Sequence, residues 1–336
     1  MAKHFNIPVF LPELACPFQC SYCNQAAISG IKRMPGTMEV KQLIERNLHS
    51  LPKGDKEVEI AFFGGNFTGL SPGLQREYLS LAEEYVATTE IKGIRLSTRP
   101  DYISKPVLDL LKEYSVTTIE LGAQSLDDEV LALSGRGHTA AQVLSAAALI
   151  RDYGFRLGLQ MMVGLPGDNF EKSLHTAETI IAAGADETRI YPCLVIRDTA
   201  LEKEFNSGKF QVSDLQTAVT WVAQLLLLFE RAGVRVIRIG LHPSEDFSTG
   251  GLVAGPFHPS LKEMVLSEIW KSLFDEYPDW PAASEILVKV PPGQLNFAVG
   301  YAASNKKHLL SRFRHIGFTT DASLQHRQFR VEVVKC

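Results

Sequence analysis

The chain of 336 residues is long enough for one large barrel-type domain with a smaller appendage, and 45% hydrophobic against 21% charged residues excludes a disordered or fibrous protein. No apolar stretch approaches the roughly 20 residues needed to span a bilayer, and Pro8 and Pro12 break the Phe5 to Leu11 run that faintly resembles a signal peptide. The net charge of -4 points to no class of partner, while five cysteines, three of them crowded between positions 16 and 23, argue against a secreted disulfide framework and for a reduced, cytoplasmic, membrane-free setting.

Short β-branched or aromatic runs alternate with longer helical segments, the pattern of repeated βα units around a parallel sheet or barrel. Six strands are expected in chain order, at Phe5 to Leu11, Val58 to Phe63, Gly93 to Thr98, Thr117 to Gly122, Arg156 to Val163 and Glu187 to Tyr191. Between them apolar residues recur at helical spacing, as in Leu108, Leu111 and Tyr114, or Val143, Leu144 and Ala147. A long amphipathic helix follows at Leu215 to Arg231, then a strand-like run at Val234 to Ile239. Residues 242–259 gather Pro243, Gly250, Gly251, Gly255, Pro256 and Pro259 into a connecting loop longer than most. It separates a barrel at 1–241 from a C-terminal module at 260–336. That module is expected to hold a helix near Leu261 to Phe274, a strand at Ile286 to Val290, a helix at Ala302 to Phe313 and a last strand at Phe329 to Val334.

Cys16, Cys20 and Cys23 stand in a C-x3-C-x2-C spacing on the loop after the first strand. Thiolates are soft ligands, suited to zinc or to an iron-sulfur cluster. Three of them leave a cubane with one iron unligated by protein, whereas a structural zinc ion takes four ligands. A zinc knuckle completed by Cys193 or a histidine is the alternative.

The cysteine spacing, with Tyr22 directly before the last cysteine, resembles the radical S-adenosylmethionine (radical SAM) superfamily. There SAM chelates the open iron of a 4Fe-4S cluster, and one electron splits it into methionine and a 5′-deoxyadenosyl radical. The resemblance implies an α/β fold, a partial TIM-type (β/α)6 barrel with a small C-terminal α/β module, and an external one-electron reductant of flavodoxin or ferredoxin type. Gly64, Gly65, Asn66, Phe67 and Thr68, after the second strand, look like the segment that meets the SAM amino group. The runs Leu96 to Asp101, Glu120 to Ser125 and Ile190 to Ile196 are similar to the radical SAM half of the Elongator catalytic subunit, a tRNA-modifying family, over about Asn6 to about Arg238. Gln124 and Arg136 match, in their twelve-residue separation, a pair that contacts the SAM carboxylate in related oxygen-independent coproporphyrinogen oxidases; an arginine fork suits a carboxylate. The segment Gly164 to Gly167 also matches, and as a plain turn it would read the same. Two positions depart: Ser97 stands where several relatives carry a glutamate, and Gln160 where an acid or histidine meets the SAM ribose. Both retain hydrogen-bonding groups.

The function so implied is reductive SAM cleavage that starts radical chemistry on an RNA, in tRNA or rRNA modification. Rival readings are a porphyrin or other small-molecule substrate, or a non-catalytic iron-sulfur protein that binds haem or RNA. No counterpart of the Elongator acetyltransferase domain is expected, nor the second cluster of a methylthiotransferase. From Ser284 onward, Lys289, Lys306, Lys307, Arg312, Arg314, Arg327, Arg330 and Lys335 face only Glu285, Asp321 and Glu332, so 8 - 3 = +5 in a chain of -4. That suits contact with RNA phosphate, with Phe313, Phe318 and Phe329 either stacking on bases or filling the module's own core. Cys193 reads as a small buried hydrophobe and His258 as a structural loop residue; a part in the chemistry stays open for both.

Overall fold

The computed structural model describes residues 3–12, 16, 19–25, 27, 30, 33–241, 250–282 and 284–335. Seven parallel strands form the main sheet, in the order β1 (Lys3–Leu11), β2 (Lys56–Gly64), β3 (Ile91–Thr98), β4 (Val116–Gln124), β5 (Arg156–Val163), β6 (Glu187–Pro192) and β8 (Arg235–Ile239). All six expected strands are there, and the run at Val234 to Ile239 is the seventh, so the barrel has one strand more than the six units expected. Parallel neighbours need long crossovers. Helices Thr37–Ser50, Pro72–Thr88, Lys105–Lys112, Ala140–Asp152 and Phe170–Ala182 supply them. Helix starts are set locally: the Ser71, Thr139 and Asn169 side chains accept from the backbone N–H of Leu74, Gln142 and Lys172.

Strands β4 and β5 are buried along almost their whole length, as parallel strands covered on both faces must be. On the outer face Phe62 packs against Tyr78 of helix Pro72–Thr88 at 5.8 Å between ring centroids. The inner face is polar. Arg95 on β3 is fully buried and meets Glu59 on β2 (3.0 Å), Glu120 on β4 (3.1 Å) and Glu187 on β6. Arg189 on β6 holds Glu120 through two bonds of 2.6 and 3.0 Å, and its guanidinium lies 4.8 Å over the Phe63 ring on β2. In a flat sheet β3 and β6 would stand about 14 Å apart, and β2 and β6 about 19 Å. Side-chain contact across those gaps requires the sheet to curl. The result is a partial TIM-type barrel, open because β1 and β8, the two ends of the strand order, do not pair with each other among the described residues.

Beyond β6, the short strands β7 (Val195–Ile196) and β9 (Leu252–Ala254) pair antiparallel. β9 comes from inside the expected connecting loop; residues 242–249 of that loop lie outside the described residues. The chain divides into two compact units, Met1–Asp214 with Leu228–Phe257, and Leu215–Leu227 with His258–Cys336.

In the second unit, helix Leu261–Glu276 accompanies a three-stranded sheet with β10 (Glu285–Val290) between β11 (His315–Thr320) and β12 (Arg330–Lys335). β11 was not expected, and the expected helix at 302–313 contracts to Ser304–Leu309, preceded by a kink at Ala302 and Ala303 in left-handed conformation. Phe313 is buried beside Trp270, Phe274 and Val288, while Phe318 and Phe329 pack against the same cluster. These rings fill the module's own core, which removes the base-stacking expectation. His258 accepts from the Ser260 N–H and meets Tyr301 edge-on at 5.1 Å, a structural setting.

Burial alone would raise the Glu59 carboxyl, yet His4, Arg95 and Thr117 hold it down at about 2. Arg95 and Arg235 likewise outweigh burial and hold Glu187 below the ordinary range. A depressed carboxylate contributes stability that is complete above its unfolded pKa of about 4.3 and lost as pH falls through the folded value. The protein should therefore weaken from about pH 4.5 toward 2. Arg95→Met leaves three buried carboxylates short of a partner and should cost about 3–5 kcal/mol at pH 7. Their folded pKa values then rise, so part of that loss should return by about pH 5. Urea titrations at both pH values check this, and a variant as stable as its parent at each would count against the network.

Candidate functional site

A cavity of about 340 Å³ opens at the C-terminal ends of the strands, where barrel enzymes place their sites. Cys16, Gln19, Cys20, Tyr22, Cys23 and Gln25 line it from the loop after β1. Gly64 and Gly65 enter from the end of β2, and Ser97, Thr98 and Arg99 from the end of β3. Gly122 and Gln124 come from β4, Arg136 from the turn beyond it, and Gln160 from β5. Ten of the residues expected from sequence thus meet in one place: the three cysteines, Tyr22, Gly64, Gly65, Ser97, Gln124, Arg136 and Gln160. Asn66 does not line the cavity. It lies buried behind it, where its Oδ1 accepts from Thr98 Oγ1 at 2.6 Å and from the Arg99 N–H at 3.2 Å, tying the β2 loop to the end of β3.

The cysteine loop is fastened from two sides. Ser21 donates its N–H to the Ser134 carbonyl at the end of helix Asp128–Leu133, and Leu201, in helix Ala200–Asn206, donates to the Ser21 carbonyl at 2.7 Å. Cys23 N–H closes a turn onto the Cys20 carbonyl. Cys20 and Tyr22 are buried together with Val130, Leu165 and Cys193. No three His, Cys, Asp or Glu side chains among the described residues converge as one ion would require. A cubane makes no such demand, because each thiolate binds a different iron.

Arg136 is buried and donates to Cys20 Sγ at 3.3 Å and to the Gly122 carbonyl at 2.5 Å. Arg99 donates to the Arg136 carbonyl at 2.9 Å while its fork grips Asp101. Gly122 makes this possible, since a Cβ there would stand 2.7 Å from the Arg136 guanidinium and 3.0 Å from the Gln124 amide. At Gly64 a positive φ of 101° brings the backbone against Leu11. Gln124 also has positive φ, 68°, at an irregularity in the β4 to β5 register. Such backbone costs a non-glycine residue on the order of 1 kcal/mol and marks functional positions.

Among the buried polar atoms of the lining residues, Gln124 Oε1, Arg136 Nε and the Tyr22 hydroxyl have no well-formed hydrogen bond. Burial pushes the Tyr22 pKa up, with Cys20 and Cys23 adding to the rise and Arg136 opposing it. Burial works against the Arg136 charge, but Tyr22 and Cys20 outweigh it and the guanidinium stays protonated. Behind them His138 is buried, neither ring nitrogen making a well-formed hydrogen bond, its pKa lowered to about 4 by burial, Arg136 and Arg99 against a weak opposing contact with the Thr139 backbone.

Sequence reasoning missed Arg99, Gln19 and Gln25. The Arg99-Pro100-Asp101 run was visible, but nothing local shows that its arginine buttresses a residue 37 positions away. Cys193, for which a part in the chemistry stayed open, is buried, and burial with nearby Asp168 pushes its thiol up to about 12. A thiol of that pKa is deprotonated to roughly one part in 10⁴ at pH 8. Iodoacetamide at pH 8 should therefore label the half-buried Cys16 and Cys23 of metal-free protein and leave Cys193 unmodified, read by peptide mass spectrometry. Comparable labelling of Cys193 would make it a reachable, reactive thiol.

Residues 14–180 match the family model described as the radical SAM superfamily, and residues 185–271 the radical SAM C-terminal domain. The chain is 26% identical over 222 residues to an uncharacterised protein of Methanocaldococcus jannaschii, covering 65% of this chain and 65% of that one. It is 26% identical to tRNA uridine(34) acetyltransferase of Dehalococcoides mccartyi, covering 61% of this chain and 52% of the relative. Yeast Elongator complex protein 3 is 28% identical, with 66% and 39% covered. The chain thus spans less than two thirds of the length of each of these relatives. Among solved structures, archaeal Methanocaldococcus infernus Elp3 with an N-terminal deletion superposes with a TM-score of 0.66 at 22% identity, covering 81% of this chain and 64% of that one. Two adjoining family models, and a three-cysteine loop at the mouth of an open barrel, carry one conclusion: the chain belongs to the radical SAM superfamily.

Proposed function

We propose that the chain is an enzyme that binds a 4Fe-4S cluster through Cys16, Cys20 and Cys23, cleaves SAM reductively and starts radical chemistry on RNA. The observation that carries the reading is the cavity itself: three thiols at one end, and around them buried polar groups of Gln124, Arg136 and Tyr22 that lack well-formed partners. Such groups are costly unless a ligand satisfies them. The donor set suits the cofactors of the superfamily, a cluster with an open iron and an amino acid chelating it. When bound, cluster and SAM together supply a carbon-centred radical by one-electron cleavage. The protein's own part is positional. Arg136 holds the Cys20 sulfur and the Gly122 carbonyl with its two terminal nitrogens and leaves Nε for a carboxylate, Gln124 presents an amide to carboxylate or ammonium, and backbone at Gly64 and Gly65 allows close approach. Gln160, with Ser97 at 3.4 Å, is set to bond a ribose hydroxyl from β5. The electron would come from a flavodoxin- or ferredoxin-type protein in a reduced, cytoplasmic setting. Among the described residues no helix is long and apolar enough to cross a membrane.

Anaerobic reconstitution should yield one 4Fe-4S cluster, and changing any of the three cysteines to Ala should abolish it; stoichiometric zinc without iron-sulfur absorption would defeat the assignment. Arg136→Ala should keep iron yet lose about ten- to a hundredfold in SAM affinity, the worth of a charge-assisted bond. Unchanged SAM binding there would remove Arg136 from the SAM site.

RNA as substrate is supported by the tRNA-modifying names among the relatives and by the basic C-terminal unit. Lys306, Lys307, Arg312 and Arg314 are exposed, whereas Lys289 and Arg330 pair with Glu332 and Asp321. Affinity for a structured RNA should fall steeply with ionic strength, and replacing the four exposed residues should flatten that slope while sparing SAM cleavage. If binding shows no salt dependence, or the fourfold variant binds as the parent does, a small-molecule substrate replaces RNA.

A further inference from the structure

The inner face of the barrel carries a row of facing residues one layer above the Arg95 floor. Register pairs Gly122 with Gln160, Gln160 with Arg189, and Arg189 with Arg238, from β4 to β8. The first two line the cofactor cavity. Arg189 is spoken for, with both arms of its fork on Glu120. Arg238 is not. Its Nε donates to the Gly240 carbonyl at 3.1 Å, and no carboxylate among the described residues lies within ion-pair distance. It stands half-buried next to a second guanidinium, and burial together with Arg189 lowers its pKa while Tyr191 opposes the shift. A cation so placed is unfavourable at rest, and an apolar side chain would be cheaper there. Phe63 lies beneath the Arg189 guanidinium at 4.8 Å and forms an aromatic pair with Phe10 at 6.3 Å.

We infer that Arg238, flanked by Arg189 and Tyr191, is an anion-binding subsite that holds a phosphate or carboxylate of the substrate inside the barrel, apart from the groups that hold SAM. An incoming oxyanion meets the free fork of Arg238 and a guanidinium whose charge Glu120 only partly balances, in a setting where charge-assisted bonds are strong. The aromatic pair that begins beneath Arg189 suits a planar group carried by the same molecule. A nucleotide of the RNA proposed above satisfies the cations and the aromatic pair at once, so the inference deepens that reading and rests on it for the identity of the substrate.

The experiment titrates the full chain with uridine 5′-monophosphate, uridine, inorganic phosphate and malonate at matched ionic strength, and separately with SAM. The monophosphate should bind at least about tenfold more tightly than uridine, and Arg238→Gln should remove most of that difference with SAM affinity unchanged. Arg238→Lys, which keeps the charge and loses the fork, should fall between the two and covers a glutamine variant that does not fold. Preference for phosphate over malonate assigns the anion to a nucleotide; the reverse assigns it to a substrate carboxylate and keeps the subsite. Equal affinity for uridine and its monophosphate, or unchanged affinity in both variants, overturns the inference. A parent that binds phosphate through Arg238 but never SAM would instead sink the radical SAM reading and leave the subsite standing.

Discussion

Arg95 is buried among three carboxylates from three other strands, and the curl of the sheet follows from that burial. A guanidinium removed from water is tolerable only when paired and bonded, and here its partners Glu59, Glu120 and Glu187 come from β2, β4 and β6. Those partners meet only if the sheet curls, and the curl in turn creates an interior. The pairing therefore shapes the barrel as well as contributing to its stability. A Leu or Met core at this level would bury more apolar area at no desolvation cost, but it would close the lumen.

Charge also propagates upward from that floor. Glu120 serves Arg95 below and Arg189 above, and accepts from Gln160 at 3.2 Å. Gln160 is thereby oriented by the same carboxylate that closes the floor, which links the barrel's stability to the position of a residue lining the cavity. On the other side, Arg99 supports the backbone of Arg136, Arg136 holds Cys20, and the backbone of Ser21 is anchored from Ser134 and Leu201. The cysteine loop is thus organised by β3, β4 and the segment after β6, none of them its neighbours in sequence.

This explains what was legible beforehand. Strands announced themselves by β-branched runs of the right length, and Cys16, Cys20 and Cys23 by spacing, because both signals are local. Gln124 and Arg136 were found through resemblance alone. Arg95, Glu59 and Glu187 were not found, since a charge inside a strand reads as a solvated face until its partner is known, and Arg95 and Glu187 lie 92 positions apart. The strand at His315–Thr320 was missed because Gly317 interrupts its pattern, and the helix expected at 302–313 was overextended because left-handed backbone at Ala302 and Ala303 has no glycine to signal it. For Phe313, Phe318 and Phe329 the sequence left base stacking and core packing both open, and a unit this small uses the rings for its core.

The polarity of the lumen bears on the kind of chemistry it can host. A radical that reacts with the nearest C–H bond is best surrounded by groups that hold substrate firmly, and oriented ion pairs do so with more directional control than a greasy pocket. Charges fixed in advance also need not reorganise when substrate arrives. On that argument the cost of burying Arg95, Glu120 and Arg189 is the expense of a rigid, hydrated-surface substitute inside the barrel. Carboxylate partners are most numerous at its floor and fewer toward its mouth. The gradient runs from Arg95, ringed by three carboxylates, through Arg189, held by one, to Arg238, held by none among the described residues. An interior so graded draws an anionic group toward Arg238 and leaves the Phe10 and Phe63 rings for the part of the substrate that carries no charge.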